Sequence, residues 1–293
     1  MSPNPPSSPD AQTAHESALY AAESTGAPPD WQAALDHLQR AAELGHRLAQ
    51  AELAALASEW ALSREIDSGK PVPAETWHNL RRSVDLVRWL TPPRPRIVSA
   101  SPRIATVESM AEPELCDWLI ARARPKLAPA GIYDQETGGQ RVDEVRSNSA
   151  CYFPWAESDL LLLALRARMA SVAELPVYAM ESTAILHYSA GQEFLPHCDF
   201  LDVSQPGHAK DVAQRGQRVL TFLISLNEGY EGGETEFPVL GKRWKGRKGS
   251  GLFFWNVEPD GTPDRRTRHA GLPPTRGEKW LLSQWIRGQP GAR

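Results

Sequence analysis

Near residue 92 the hydrophobic period of this chain changes, and that change constrains its fold more than any other feature. Ahead of it alanine, leucine and glutamate dominate, and apolar residues recur at helical spacing. Asp30 is placed to cap a helix through Trp31, Leu35, Leu38 and Ala42, with Gly45 as its stop. Ala49, Leu53, Leu56 and Trp60 follow at four, three and four, then Trp77, Leu80, Val84 and Val87 at three, four and three. These stripes predict three or four short helices between residues 13 and 91. Residues 1–12, rich in proline and serine, offer little apolar surface to offset ordering entropy and are expected to be disordered. The run TPPRPRIVSASP then breaks the pattern and reads as a linker.

Beyond the linker the texture is that of short strands separated by Gly, Pro and Asp turns. Helical runs are expected near Pro113–Ala123 and Glu157–Glu174. Strands are expected at Ser182–Tyr188, Glu193–Asp199, Arg218–Leu226, Gly251–Asn256 and Lys279–Arg287. Many short strands after a pair of helices argue for an antiparallel sandwich or barrel. Within it, His197 and Asp199 flank Cys198; on a strand, residues i and i+2 share a face, so imidazole and carboxylate converge while the thiol points away. One neutral nitrogen and one hard oxygen suit a divalent first-row metal. A third ligand must come from elsewhere, and His269, after GLFFWN and the loop VEPDGTPDRRTR, is the candidate. Two histidines and a carboxylate leave three positions open, the arrangement of ferrous oxygenases. Ten residues on, Lys279 opens the strand KWLLSQWIR, where a cation can hold the far carboxylate of a dicarboxylic co-substrate. Lys279, Leu281, Ser283, Trp285 and Arg287 share one parity.

The segments HYSAGQEFLPHCDF, GQRVLTFLISLNEGYEGGETEFP, GSGLFFWN and TRHAGLPPTRGEKWLLSQWIRGQ, in that order, resemble the prolyl 4-hydroxylase-like branch of the iron(II)/2-oxoglutarate-dependent dioxygenases. The resemblance implies an α+β chain: a double-stranded β-helix (jelly-roll) catalytic domain with supporting helices over 96–293, preceded by a small all-helical module over 13–91. It implies one ferrous ion held by His197, Asp199 and His269, with 2-oxoglutarate, dioxygen and ascorbate as reductant. Lys279 matches the residue for the distal carboxylate of 2-oxoglutarate; Tyr188 and Thr221 match residues that help hold that co-substrate. Arg146 and Ser149, in VRSNSACYF, resemble a substrate loop of the family, from which Asn148 and Ala150 depart. Arg218 matches a substrate-side arginine, although strand parity turns it away from Thr221. Phe194 stands where the family usually has tyrosine and Arg287 where peptidyl-proline hydroxylases often have histidine; with Trp285 they complete the expected substrate residues. The activity implied is hydroxylation of an unactivated C–H bond, first of all in peptidyl or protein proline. Asp199 speaks against halogenation, which needs that carboxylate replaced to admit chloride.

The stretch WQAALDHLQRAAELGHRLAQAELAAL resembles one unit of a Sel1-like helical repeat, without a second unit at a matching period, and such a module could dock a protein substrate. Two other readings stand beside the first: a hydroxylase of a free amino acid or natural-product intermediate, and a non-catalytic interaction protein with a metal-stabilised barrel. The three-ligand set plus Lys279 argues against the latter. His187 and His208 are expected to be structural and solvated respectively, and GKRWKGRK and DRRTR to be solvated loops. With a net charge of -4 the chain is not a general binder of nucleic acid or anionic membranes. No apolar run approaches a membrane span, and three scattered cysteines give no disulfide framework. A cytoplasmic protein is expected.

Overall fold

The computed structural model describes residues 8–23, 28–133 and 140–288. Contacts divide the chain into two compact units, Met1–Pro92 with Trp155–Ala170, and Pro93–Pro154 with Ser171–Arg293. The first unit is helical: α1 Pro9–Ala22, α2 Trp31–Glu43, α3 Arg47–Leu56, α4 Trp60–Asp67, α5 Thr76–Ser83 and α6 Leu86–Leu90. Six helices among the described residues replace the three or four expected. Disorder through residue 12 is corrected as well, because Ser8 accepts a hydrogen bond from the Ala11 N–H and starts α1 at Pro9; residues 1–7 lie outside the described residues. Asp30 caps α2 through the Ala33 N–H at 2.9 Å, as its position predicts. The stripe at 49, 53, 56 and 60 is not one helix: Ser58, at φ 65°, ends α3, and Trp60 opens α4. Val87 likewise leaves the third stripe and stands 75% exposed on α6. Alanines 34, 41, 42, 49 and 51 are fully buried, so small side chains let the helices pack closely.

One element of this unit comes from far along the chain. Of α7 Pro113–Ala123 and α8 Leu160–Ala173, the second contributes residues 160–170 to the helical unit. Its sequence, LLLLALRARMASVA, opens on consecutive leucines instead of a single apolar stripe, and Leu160–Leu165 are buried without a break. Its start is held by Glu52, fully buried on α3, whose carboxylate accepts the Leu160 N–H at 3.0 Å and meets His15 Nε2 at 2.6 Å. His15 stacks on His46 at 4.4 Å, so these buried histidines are committed to packing.

The second unit holds, among the described residues, two main antiparallel sheets and two short two-stranded pairs, Glu231–Gly232 with Pro274–Arg276 and Gly131–Tyr133 with Gln140–Val142. The larger runs Arg96–Ala100, Arg103–Val107, Gly251–Trp255, Arg218–Ser225, Lys279–Arg287, Thr183–Tyr188, Ser149–Phe153, Ala128–Pro129 in spatial order. The first two of these strands occupy part of the expected linker. The smaller runs Lys242–Trp244, Thr235–Phe237, His269–Gly271, Phe194–His197. Tyr188, Leu223, Phe237, Leu252, Phe254 and Leu281 share the core between them, a jelly-roll arrangement. The strand Lys279–Arg287 is central, pairing Lys279 with Tyr188 on one side and Trp285 with Thr221 on the other. Gly232 and Gly233 lie at φ +67° and +71°; a Cβ on the first would sit 2.9 Å from the Pro273 carbonyl oxygen. Only glycine fits this bulge, which lets the strand leading to Thr235 enter the small sheet. Among the described residues no helix is long and apolar enough to cross a membrane.

Candidate functional site

His197 and His269 are cross-strand partners in the small sheet, and their rings stand 4.4 Å apart. Each Nδ1 lies against a carbonyl oxygen, Leu195 at 2.8 Å and Thr267 at 3.1 Å. A carbonyl can only accept, so each Nδ1 carries the proton and each Nε2 keeps a free lone pair. Both lone pairs face Asp199, whose Oδ1 is 3.6 Å from His197 Nε2 and whose Oδ2 is 3.5 Å from His269 Nε2. The three ligand atoms lie within 4.8 Å of one another. Burial and the neighbouring His269 hold His197 well below the usual histidine range and hence neutral. Burial alone would raise the Asp199 carboxyl; the hydrogen bond from Thr221 and the charge of Arg218 favour its ionised form, and it lies below the usual carboxylate range. Neutral imidazoles and a carboxylate, each pre-oriented by a hydrogen bond, fit a divalent iron.

The route to this cluster differs from the expected one. The strand carrying His197 ends there, and Asp199 lies in a bend beyond it. Strand parity therefore does not bring it to the histidines; a hydrogen bond does. Thr221 Oγ1 donates to Asp199 Oδ2 at 2.7 Å. Cys198, expected to point away, lines an outer cavity with its neighbours.

Beside the cluster an inner cavity reaches Lys279, which is 2% exposed. Its Nζ has no hydrogen-bond partner among the described residues and lies 4.9 Å from the centre of the Tyr188 ring. Burial pulls this ammonium down to about 8, with Glu234 opposing. A buried cation without a partner, facing a cavity, awaits an anion. Tyr188 lines the same cavity, against Gly271, where a Cβ would come within 3.1 Å of its hydroxyl. Thr221, expected beside the co-substrate, is not among its lining residues; its hydroxyl donates to Asp199. Thr235 and Ser283 line it instead. Ser283 shares the parity of Lys279 and was legible on that ground; Thr235 offered no signal beyond its place after the glycine pair.

The outer cavity shares Arg146, Phe194, His197, Asp199 and Trp285 with the inner one. Phe194 stacks on His197 at 3.5 Å, and the Arg146 guanidinium covers Phe194 at 4.6 Å. Arg146 donates to Asn148 Oδ1 and to the Gly131 carbonyl oxygen, both at 2.9 Å. Asn148, a departure from the family pattern, thus positions the arginine. Ser149 lines neither cavity; it pairs with His187 in the large sheet. Arg218 lines the outer cavity, lying 3.9 Å over Trp285. His208, expected to be solvated, is buried on α9 (Pro206–Arg215) and lines it too. His187 is structural, as expected, bonded to Glu278 at 2.9 Å.

Arg287 reaches neither cavity. The register slips between Ile286 and Arg287, where the partner strand steps from Leu220 to Arg218 and Val219 is the extra residue. The Arg287 guanidinium donates to Glu181 at 2.5 Å, Asp211 at 2.8 Å and the Gly216 carbonyl oxygen at 2.7 Å. Glu181 also takes Arg218 at 2.7 and 2.9 Å, so one carboxylate holds two arginines, Arg287 buried and Arg218 half-buried. Burial would raise the Glu181 carboxyl, but the arginines hold it below the usual range. This stability is present above the ordinary carboxylate pKa and is lost as pH falls through the lower folded value. Glu181→Ala is expected to cost about 3–5 kcal/mol, the price of two stranded charges; an unchanged denaturant midpoint would refute it. The basic clusters are likewise occupied: Arg266 pairs with Asp264, Arg243 with Glu236 and Lys248 with Asp117.

Residues 183–287 match the family model described as the 2OG-Fe(II) oxygenase superfamily. Prolyl 4-hydroxylase 1 of Arabidopsis thaliana is 33% identical over 208 residues, 66% of this chain and 72% of that protein. Probable prolyl 4-hydroxylase 3 of the same organism is 31% identical over 210 residues, 65% of this chain and 71% of that one. Among solved structures, the 2OG complex of the viral collagen prolyl hydroxylase vCPH from Paramecium Bursaria Chlorella virus-1 is similar at 26% identity and a TM-score of 0.49. The match covers 64% of this chain and 96% of that one.

Proposed function

The chain belongs to the 2OG-Fe(II) oxygenase superfamily, alongside the prolyl 4-hydroxylases, and from that premise we propose that it hydroxylates proline within a peptide or protein. It is a 2-oxoglutarate-dependent dioxygenase. Iron bound at the site supplies the activation of dioxygen that an unactivated C–H bond requires, coupled to decarboxylation of 2-oxoglutarate to succinate. In this reading His197, Asp199 and His269 are the ligands, their orientations set in advance by Leu195, Thr221 and Thr267. Lys279 takes the far carboxylate of 2-oxoglutarate and gains the partner it lacks. Tyr188, Leu281 and Ser283 wall that cavity against water. Phe194 keeps His197 in place from the outer side, and Arg146 and Arg218 frame the approach of the substrate.

The polar lining of the outer cavity carries the choice of substrate. Asp199 is the one carboxylate among its lining residues, and it faces the histidines. Among the described lining residues the ammonium of a free amino acid finds no other anion. Arg218 is matched by Glu181, so a free carboxylate gains little from it. An X-Pro amide has a carbonyl to accept hydrogen bonds and no N–H to satisfy. The Tyr152 hydroxyl and Trp285 indole, on lining residues and without partners among the described residues, suit that chemistry. Cys116, Cys151 and Cys198 form no disulfide among the described residues, which supports a reducing, cytoplasmic setting.

The test is succinate release with Fe(II), 2-oxoglutarate and ascorbate over end-capped X-Pro peptides and over free L-proline. Turnover stimulated by the capped peptides, with one oxygen gained on proline by mass spectrometry, is expected. Stimulation by free proline and not by peptides would overturn the peptidyl reading.

A further inference from the structure

Asp199 has no strand ladder to hold it, yet as a metal ligand it must present one oxygen in a fixed direction. Two side chains at the start of the strand Arg218–Ser225 hold its loop. Gln217 accepts the Leu201 N–H and donates to the Leu201 carbonyl oxygen, each at 2.7 Å. Four residues on, fully buried Thr221 donates to Asp199 Oδ2. Thr221 Oγ1 in turn accepts from Asn256 Nδ2 at 3.0 Å, and Asn256 is 1% exposed. A hydroxyl has a single hydrogen. With it given to the carboxylate, the Asn256 amide must turn its NH2 towards Thr221, which fixes the orientation of that amide. Its Oδ1 is then buried without a partner among the described residues, an unfavourable arrangement retained at this one asparagine.

We propose that the Asn256–Thr221 hydrogen-bond chain is a positioning device that restricts Asp199 to one-oxygen ligation of the metal. Oδ2 is engaged by the hydroxyl, leaving Oδ1 as the oxygen free of the protein. A carboxylate free on both oxygens can chelate and fill a position that co-substrate and dioxygen need. Because donors in series polarise one another, Asn256 strengthens the bond that Thr221 makes. This inference rests on the metal-centre reading given above, and its test separates the two.

The test is Co(II) titration of the metal-free protein, followed by the visible d–d bands, in wild type, Thr221→Val, Thr221→Ser and Asn256→Ala. Thr221→Val is close in shape but has no donor; it is expected to bind Co(II) 10–100-fold more weakly and to change the intensity pattern of the bands. Thr221→Ser keeps the hydroxyl and is expected to restore both. Asn256→Ala is expected to weaken binding several-fold, and it carries the test alone if Thr221→Val fails to fold. Wild-type affinity and an unchanged spectrum in folded Thr221→Val, or unchanged affinity in Asn256→Ala, overturns the proposal. If the wild type itself binds no Co(II), the metal-centre reading fails and the proposal falls with it.

Discussion

Lys279→Met is expected to melt several degrees above the wild type without ligand, and to have lost the stabilisation that 2-oxoglutarate gives. The wild-type fold carries a buried ammonium without a hydrogen-bond partner among the described residues. Its descent from 10.5 to about 8 measures what burial costs the charged form, roughly 3 kcal/mol at 1.36 kcal/mol per pKa unit. A thioether of similar length removes that cost. The sign follows from proton counts. Between about 8 and 10.5 the unfolded chain holds a proton on this lysine that the folded chain has released, so wild-type stability rises with pH across that window. Below it both states are protonated and the folded state bears the full penalty. The melting difference between variant and wild type is therefore widest at neutral pH and closes towards the top of the window. Binding runs the other way: loss of one partner of a buried charge pair weakens 2-oxoglutarate binding on the order of a hundredfold or more, and wild-type affinity declines once pH passes about 8. Thermal melts with and without 2-oxoglutarate across pH check both halves. A variant less stable than wild type at neutral pH, or one still stabilised by 2-oxoglutarate, would show that Lys279 already has its counter-charge.

What was legible at the site was whatever depends on side-chain type and on regular alternation. Lys279, Leu281, Ser283 and Trp285 do line one cavity, as parity along an unbroken strand requires. Two residues later Arg287 lies outside the cavity, its guanidinium drawn to Glu181 and Asp211, carboxylates far away in sequence. Parity failed at Asp199, which sits past its strand and reaches the histidines through Thr221. The bond from Thr221 to Asp199 was not legible, because a hydroxyl facing the barrel interior can serve a co-substrate or a ligand equally well from its position alone. The separation is a matter of which acceptor lies within reach, and Asp199 comes from 22 positions away in sequence. The roles of Glu181, Asn148 and Asn256 had the same obstacle: each acts by a contact between strands whose pairing the sequence leaves open.

The helical half shows the same limit on a larger scale, and it sets the second large prediction. Periodicity located the helices before residue 91, yet it assigned Glu157–Glu174 to the β-rich half because it follows the linker. In the structure residues 155–170 belong with the helices. The run of leucines that opens α8 was the available sign: a helix covering one face of a sheet needs one apolar stripe, not four consecutive leucines. Removing residues 1–92, the cut that sequence order invites, is therefore expected to abolish soluble folded protein. It strips Glu52 from the Leu160 N–H and bares Leu160, Leu161, Leu162, Leu163 and Leu165, each 5% exposed or less in the whole chain. Each such side chain that reaches water loses roughly 1.5–3 kcal/mol of burial, so the five together carry a cost comparable to the about 5–15 kcal/mol margin of a folded domain. Soluble yield, far-ultraviolet circular dichroism and 2-oxoglutarate turnover of a 93–293 chain are the measurements. A soluble, folded and active 93–293 chain would mean that α8 finds its cover without the preceding helices, and that the oxygenase half is a unit on its own.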